Sequence, residues 1–282
     1  DRERLAYITQ DSFLVIVNKN GDEIVRSPFT DIGIVQWAKN GLIVWSENGQ
    51  AFLNPITNER TELDNELPNI YSENFGWYYY WGPRIAYDPT LTLAIYPVLD
   101  KSETYISLWD VQMKKELLQI ARSEGLSFFP EAKPEWSRDG EQVIIAIMEH
   151  NSNKDGNDRK LISINKNGSA KTLIIMPHGL GVMRFSLSND QRYLAFWTPD
   201  PTSSFQIENL RLNVLDILTG EVTDYCIISP YISLQPVWSP DDRFLAVELS
   251  YGMENSEVVV VDIKKNVAVK IADDAMPVGW LK

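Results

Sequence analysis

The sequence predicts an all-β fold, a six-bladed β-propeller with four antiparallel strands per blade. Three observations predict it. A strand–turn–strand motif recurs at a fixed spacing, short strands ending in Asp or Asn occur six times, and the two chain ends read as complementary halves of one copy.

The motif is clearest from Pro236 to Val247, where a short strand ends at Trp238, Ser239-Pro240-Asp241-Asp242 turns the chain, and a second strand starts at Phe244. Aligned by the Ser-x-Asp turn, it recurs as Trp136-Ser137-Arg138-Asp139-Gly140 and Leu187-Ser188-Asn189-Asp190. The anchors at 136, 187 and 238 lie 51 residues apart each time, and Val143, Leu194 and Leu245 open the strands that follow. Looser copies are Trp37-Ala38-Lys39-Asn40-Gly41 and Tyr87-Asp88-Pro89-Thr90. A repeat of this length points to stacked units that cannot bury their faces alone.

The second marker is a strand end followed by a polar hairpin, at Asn18, Asn54, Asp110, Asn165, Asp216 and Asp262. Asn20-Gly21 and Asn167-Gly168 are strong hairpin signals because such turns need positive φ. Each unit then holds strands A (to the anchor), B, C (to the Asp/Asn) and D, which radial repetition assembles into blades. The C-terminal Trp280 lacks a following strand, and Leu5-Ala6-Tyr7 at the N-terminus supplies one. The expected single domain, 1–282, therefore comprises blades 278–282 plus 1–28, 33–63, 84–121, 133–175, 181–227 and 235–272, with the C-terminal strand closing the first.

Composition narrows the function. The chain of 282 residues is 44% hydrophobic and 23% charged, with a net charge of −13, which argues against nucleic acid, whose phosphate backbone must be met by a basic surface. Cys226 is the only cysteine, so neither an intrachain disulfide nor a thiolate zinc cluster can form. The longest apolar runs, such as Val258 to Val261, are too short to span a bilayer as a helix. A signal peptide or lipid anchor would have been in whatever preceded Asp1.

The pattern Pro-x-Trp-Ser-Pro-Asp-x-x-x-Leu-Ala resembles the WD-like repeat of the TolB propeller family. Pro236 to Val247 and Pro134 to Ile145 carry it best, and the likeness covers residues 130–282 well and 1–100 loosely. It implies a six-bladed propeller and an extracytoplasmic (periplasmic or cell-surface) bacterial protein that binds other proteins. The same blades occur beside the α/β-hydrolase domain of prolyl-oligopeptidase-type peptidases, for which this chain has no room.

The anchor rings read as core packing and the turn aspartates as partners of their own backbone. Function is sought instead in the long connections 64–83, 122–132, 149–158, 198–209 and 228–235, all D–A or B–C and so on one face, since binding residues concentrate on loops held by a rigid scaffold. Phe75-Gly76-Trp77-Tyr78-Tyr79-Tyr80-Trp81-Gly82-Pro83 is the most unusual of them. Its aromatics either cover the blade tops or form a binding patch, with Trp77, Tyr78, Tyr79, Tyr80 and Trp81 as candidate ligand-binding residues. His150 and His178 fall on the same face. Asn151, Asn153 and Asp155 have the alternate spacing of half a calcium loop, but Ile162 stands where a bidentate glutamate belongs. Neither a nucleophile elbow nor a phosphate loop, zincin helix or dinucleotide fingerprint is present. The expected function is non-enzymatic recognition of a protein, peptide or glycan, without a cofactor or catalytic residue. A metal-assisted hydrolase at the channel mouth, lactonase- or glycosidase-like, is the alternative.

Overall fold

A computed structural model describes residues 4–9, 11–18, 20, 22–31, 33–38, 41–46, 49–63, 67, 85–99, 104–123, 127–128, 134–151, 156–176, 181–200, 208–231, 233, 235–252, 255–275 and 277. Its strands form six antiparallel sheets. The first holds β1 (Arg4–Ile8), β2 (Phe13–Asn18) and β3 (Glu23–Pro28). The second holds β4 (Gly33–Ala38), β5 (Gly41–Ser46), β6 (Gly49–Leu53) and β7 (Arg60–Glu62). The third holds β8 (Ala86–Tyr87), β9 (Leu93–Leu99), β10 (Thr104–Asp110) and β11 (Lys115–Ser123). The fourth holds β12 (Ser127–Phe128), β13 (Glu135–Trp136), β14 (Gln142–Asn151), β15 (Gly156–Asn165) and β16 (Ala170–Met176). The fifth holds β17 (Met183–Leu187), β18 (Tyr193–Pro199), β19 (Leu210–Asp216) and β20 (Val222–Ser229), and the sixth β21 (Val237–Trp238), β22 (Phe244–Ser250), β23 (Ser256–Asp262) and β24 (Val267–Asp273).

Five sheets have four or five strands and are full blades, whereas β1–β3 has three. The expected count of six four-stranded blades is thus corrected to five. Residues 278–282, which were to complete the split blade and close the ring, lie outside the described residues. Two compact units are present. One takes residues up to Val98 together with Ile106–Ile120 and Leu281–Lys282, the other Leu99–Tyr105 and Ala121–Trp280.

Packing explains why the middle strands read as unbroken apolar runs. Both faces of a middle strand are covered, so alternation is lost, as in any doubly buried strand. In the first unit, Leu14 and Ile16 of β2 meet Leu42, Val44 and Ala51 of the second sheet, and Ile43 meets Ile85, Tyr87, Ala94 and Tyr96 of the third. In the second unit, Ile144, Ala146 and Leu161 pack on Phe185, Leu194 and Phe196. Trp197, Leu212 and Val214 pack on Trp238, Leu245 and Val247.

The Ser-x-Asp motif is a self-contained turn. Ser137, Ser188 and Ser239 each donate Oγ–H to the Asp two residues on at 2.6 Å and accept the N–H five residues on at 2.8–3.0 Å. The position before the B strand is left-handed in four copies, at Leu91, Gly140, Gln191 and Asp242, with φ from 55° to 71°. Only glycine adopts that region at no steric cost, so Gly140 is the unstrained version. In Asp242 the carboxylate also compensates, since it accepts the N–H groups of Asn189 and Asp190 at 2.7 and 2.8 Å and so staples two successive turns. At the C–D turns the strand-ending Asp or Asn accepts backbone N–H groups, as Asp216 does from Leu218 and Thr219, and Asp262 from Lys264 and Lys265.

These bonds tie stability to pH. Burial opposes ionisation of Asp139, but donation from Ser137 and Gln191 outweighs it and the carboxyl titrates below 3.8. Donation from the Ser239 hydroxyl lowers Asp241, and donation from the Arg192 guanidinium lowers Asp216. A carboxyl lowered on folding stabilises fully above its unfolded value and loses that contribution as pH falls through the folded one. The urea midpoint is therefore expected to hold from about pH 7 to 5 and to fall below about pH 4. An unchanged midpoint at about pH 3 would contradict this account of the turns.

Candidate functional site

In each sheet of four or five strands the A–B and C–D turns lie at one end and the B–C and D–A connections at the other. The short-turn end uses its polar groups internally. Arg192 pairs with Asp216, Arg243 with Asp262 and Lys166 with Glu141, and backbone bonds join the C–D to the A–B turn, as Ile217 N to Arg192 O at 2.8 Å. The anchor rings at this end are core, as expected. Tyr87, Trp136 and Trp238 are buried, and Trp238 donates Nε1–H to Ser186 O of the preceding sheet at 2.9 Å while stacking on Tyr193.

The long-connection end differs from its sequence reading in two places. The connection expected at 149–158 is mostly ladder, because β14 and β15 continue until Asn151 faces Gly156. His150 is thus a strand residue paired with Asn157, and Asn151 is strand as well, while Asn153 and Asp155 lie outside the described residues. The connection 122–132 contains β12, which pairs with β14 on the same edge as β13, Phe128 facing Ile147 and Glu135 facing Ile144. The inner edge of this blade thus carries two short strands, β12 and β13, both on β14. Trp77, Tyr78, Tyr79, Tyr80, Trp81 and His178 all lie outside the described residues, as does Trp280.

The connection 228–235 is the best-defined part of this end. The Ser233 hydroxyl donates to Ser229 Oγ at 2.5 Å, and Ser250 N–H donates to the same oxygen at 2.9 Å. All three serines are buried, which satisfies their hydroxyls and pins the connection to the end of β22. Tyr231 N–H donates to Ser250 O at 3.1 Å, and Tyr251 N–H to Asn255 O at 2.9 Å. Two tyrosines, each 45% exposed, are thereby held beside one another on adjoining connections.

Inner strands carry a second polar group. Glu135 Oε2 accepts Leu187 N–H at 3.2 Å and Gln235 Nε2–H at 3.1 Å, so one carboxylate spans the inner edges of three successive sheets. A register shift in β17 between Met183 and Phe185 leaves Arg184 bulged, at φ 38°, in the manner by which bulges re-aim a side chain. Sequence reasoning missed these residues and the two tyrosines. For Glu135, Arg184 and Gln235 the one signal was a polar side chain within three residues of an anchor. Among the described residues, no three His, Cys, Asp or Glu converge as metal ligands would.

No protein-family model and no curated protein matches the chain. Solved structures do. TolB from Acinetobacter baumannii is similar at a TM-score of 0.61 and 16% identity, over 99% of this chain and 66% of that one. The fold is a TolB-like β-propeller. The putative TolB from Agrobacterium tumefaciens is similar at 0.55 and 12% identity, over 96% and 88%. An oligogalacturonate lyase in complex with manganese is similar at 0.56 and 10% identity, over 95% and 72%. The chain thus spans about two thirds of the Acinetobacter protein, and at these identities the likeness is one of fold.

Proposed function

We propose that this chain is a non-enzymatic, extracytoplasmic binding propeller that recognises a protein, peptide or glycan at the long-connection ends of its blades. The observation that carries the reading is the pair Tyr231 and Tyr251, half-exposed aromatics on two adjoining connections tied together by buried serines. Rigid amphipathic rings offer large contact area at little entropic cost. At the opposite end Arg192, Arg243 and Lys166 pair with Asp216, Asp262 and Glu141 within and between the turns. The aromatic run Trp77 to Trp81, on another D–A connection, is proposed as a further binding element. The extracytoplasmic address rests on the Trp-Ser-Pro-Asp repeat and the likeness to TolB. For the hydrolase alternative an inner-strand carboxylate should be available to a metal or water, whereas Glu135 Oε2 already accepts two hydrogen bonds.

The test is a screen of immobilised wild-type chain against glycan and peptide arrays. Ligands retained by the wild type are expected to lose at least about tenfold in affinity with Tyr231→Ala/Tyr251→Ala or with Trp77→Ala/Tyr79→Ala/Trp81→Ala. Leu218→Ala, on a C–D turn of the other end, should leave them unchanged. Equal retention by both aromatic variants, or loss confined to Leu218→Ala, would overturn the assignment of the face.

A further inference from the structure

At the short-turn end of the last two sheets the chain covers its own aromatic rings with arginine. Arg192 Cζ lies 5.0 Å from the centre of the Tyr193 ring, and Arg243 Cζ 4.8 Å from that of Phe244. Each guanidinium also binds a carboxylate, Asp216 or Asp262. One unit is thus used twice, an aromatic face with a cation over it and a carboxylate holding that cation. The ring quadrupole and the ion pair attract the same charge.

Tyr231 and Tyr251, at the other end of these sheets, have the ring and a carboxylate without the cation. Among the described residues no Lys or Arg lies over either ring. Pro230, which precedes Tyr231, accepts Asn209 N–H at 3.0 Å through its carbonyl oxygen, which sets Glu208 one residue from that bond. Tyr251 N–H donates to Asn255 O, and the next residue, Ser256, accepts Asp274 N–H at 2.7 Å. Each tyrosine therefore has a carboxylate on a segment bonded beside it. Neither the Glu208 nor the Asp274 carboxylate has a partner among the described residues. The cations of this end are engaged already, Lys270 by Glu257 and Asp273, and Arg211 by Asp200 and Asp224. The Tyr251 ring is oriented in advance, since its hydroxyl donates to Glu257 Oε2 at 3.2 Å.

We infer that the ligand supplies the cation: Tyr231 and Tyr251 receive guanidinium groups of an arginine-containing basic peptide, with Glu208 and Asp274 as counter-charges. This rests on the binding face proposed above and names the class of ligand it takes. A chain of net charge −13 attracts such a peptide before contact, in a salt-dependent way. Arginine is favoured over lysine because its planar, weakly hydrated guanidinium stacks on a ring and keeps its N–H donors for a carboxylate.

Fluorescence anisotropy with labelled hexa-arginine and hexa-lysine tests this. The wild-type chain is expected to bind hexa-arginine at least about threefold more tightly than hexa-lysine. Tyr231→Ala/Tyr251→Ala should lose about tenfold for hexa-arginine and erase the preference, whereas Tyr231→Phe/Tyr251→Phe keeps both rings and should keep both properties. Glu208→Gln/Asp274→Asn should weaken both peptides about fivefold. Glu59→Gln/Glu221→Gln makes the same change of net charge on exposed C–D turns and should stay within about twofold of wild type. Absence of hexa-arginine binding at about 1 mM, equal binding by the alanine variant, or an equal loss in the Glu59/Glu221 variant would each overturn the inference. Array ligands that need Tyr231 and Tyr251 while hexa-arginine stays unbound would overturn the ligand class and leave the face standing. Binding that ignores both tyrosines throughout would remove both.

Discussion

Replacing Trp238 with alanine is expected to cost about 3–5 kcal/mol of folding free energy, the range for removing a buried large aromatic. Three losses combine at this position. The ring sits among Trp197, Leu212, Leu245 and Val247 in the core shared by the last two sheets, so its removal leaves a cavity whose walls are strands already fixed by their ladders. Its Nε1–H no longer reaches Ser186 O, a 2.9 Å bond between sheets, which adds about 0.5–1.5 kcal/mol. The stack on Tyr193 is lost as well. Leu218→Ala is the control, since that side chain is 81% exposed and such changes usually stay within about 0.5 kcal/mol. Denaturant midpoints of the two variants at a common slope decide the matter. If Trp238→Ala moved the midpoint no further than Leu218→Ala, the anchor could not be an inter-sheet core residue and its reading as a binding ring would return.

How much of this was legible in the sequence depends on the reach of each interaction. The Ser-x-Asp turns and the strand-ending Asp and Asn residues were legible because their hydrogen bonds close within five residues, so residue type and spacing suffice. The anchors were legible by recurrence. The bond from Gln235 to Glu135 joins residues 100 apart, and nothing local in either short strand marks it. The continuation of β14 and β15 through Glu149 and His150 was hidden for another reason. Glu149-His150-Asn151 and Gly156-Asn157-Asp158 read as a polar connection, yet the backbone ladder fixes them as strand with no apolar alternation to announce it. Strand β12 was missed because its two residues pair only through the tertiary register of β14.

Gly41 shows the same limit at one atom and carries the second large effect. Aligned on the anchors, it takes the place of Gly140, where glycine serves a left-handed turn at φ 71°. The fold uses it otherwise. Ala38 pairs directly with Gly41, and β5 begins at the glycine itself. A Cβ there would overlap Leu53 O and lie 2.8 Å from Phe52 Cζ, so what the position requires is an empty volume under the backbone of β6. Phe52 could turn aside, but Leu53 O belongs to a ladder in which Leu53 pairs with Leu42 and Arg60. Gly41→Ala must therefore separate β5 from β6 and is expected to cost about 3 kcal/mol, at the upper end of overpacking penalties. Gly220→Ala supplies the contrast, since that glycine has φ 76° with nothing within 4 Å of the new Cβ and should lose only about 1–2 kcal/mol to left-handed strain. Thermal or urea unfolding should rank Gly41→Ala below Gly220→Ala, which in turn should fall below wild type. The reverse order would mean that the close approach of β6 to Gly41 is not a fixed feature of the second sheet.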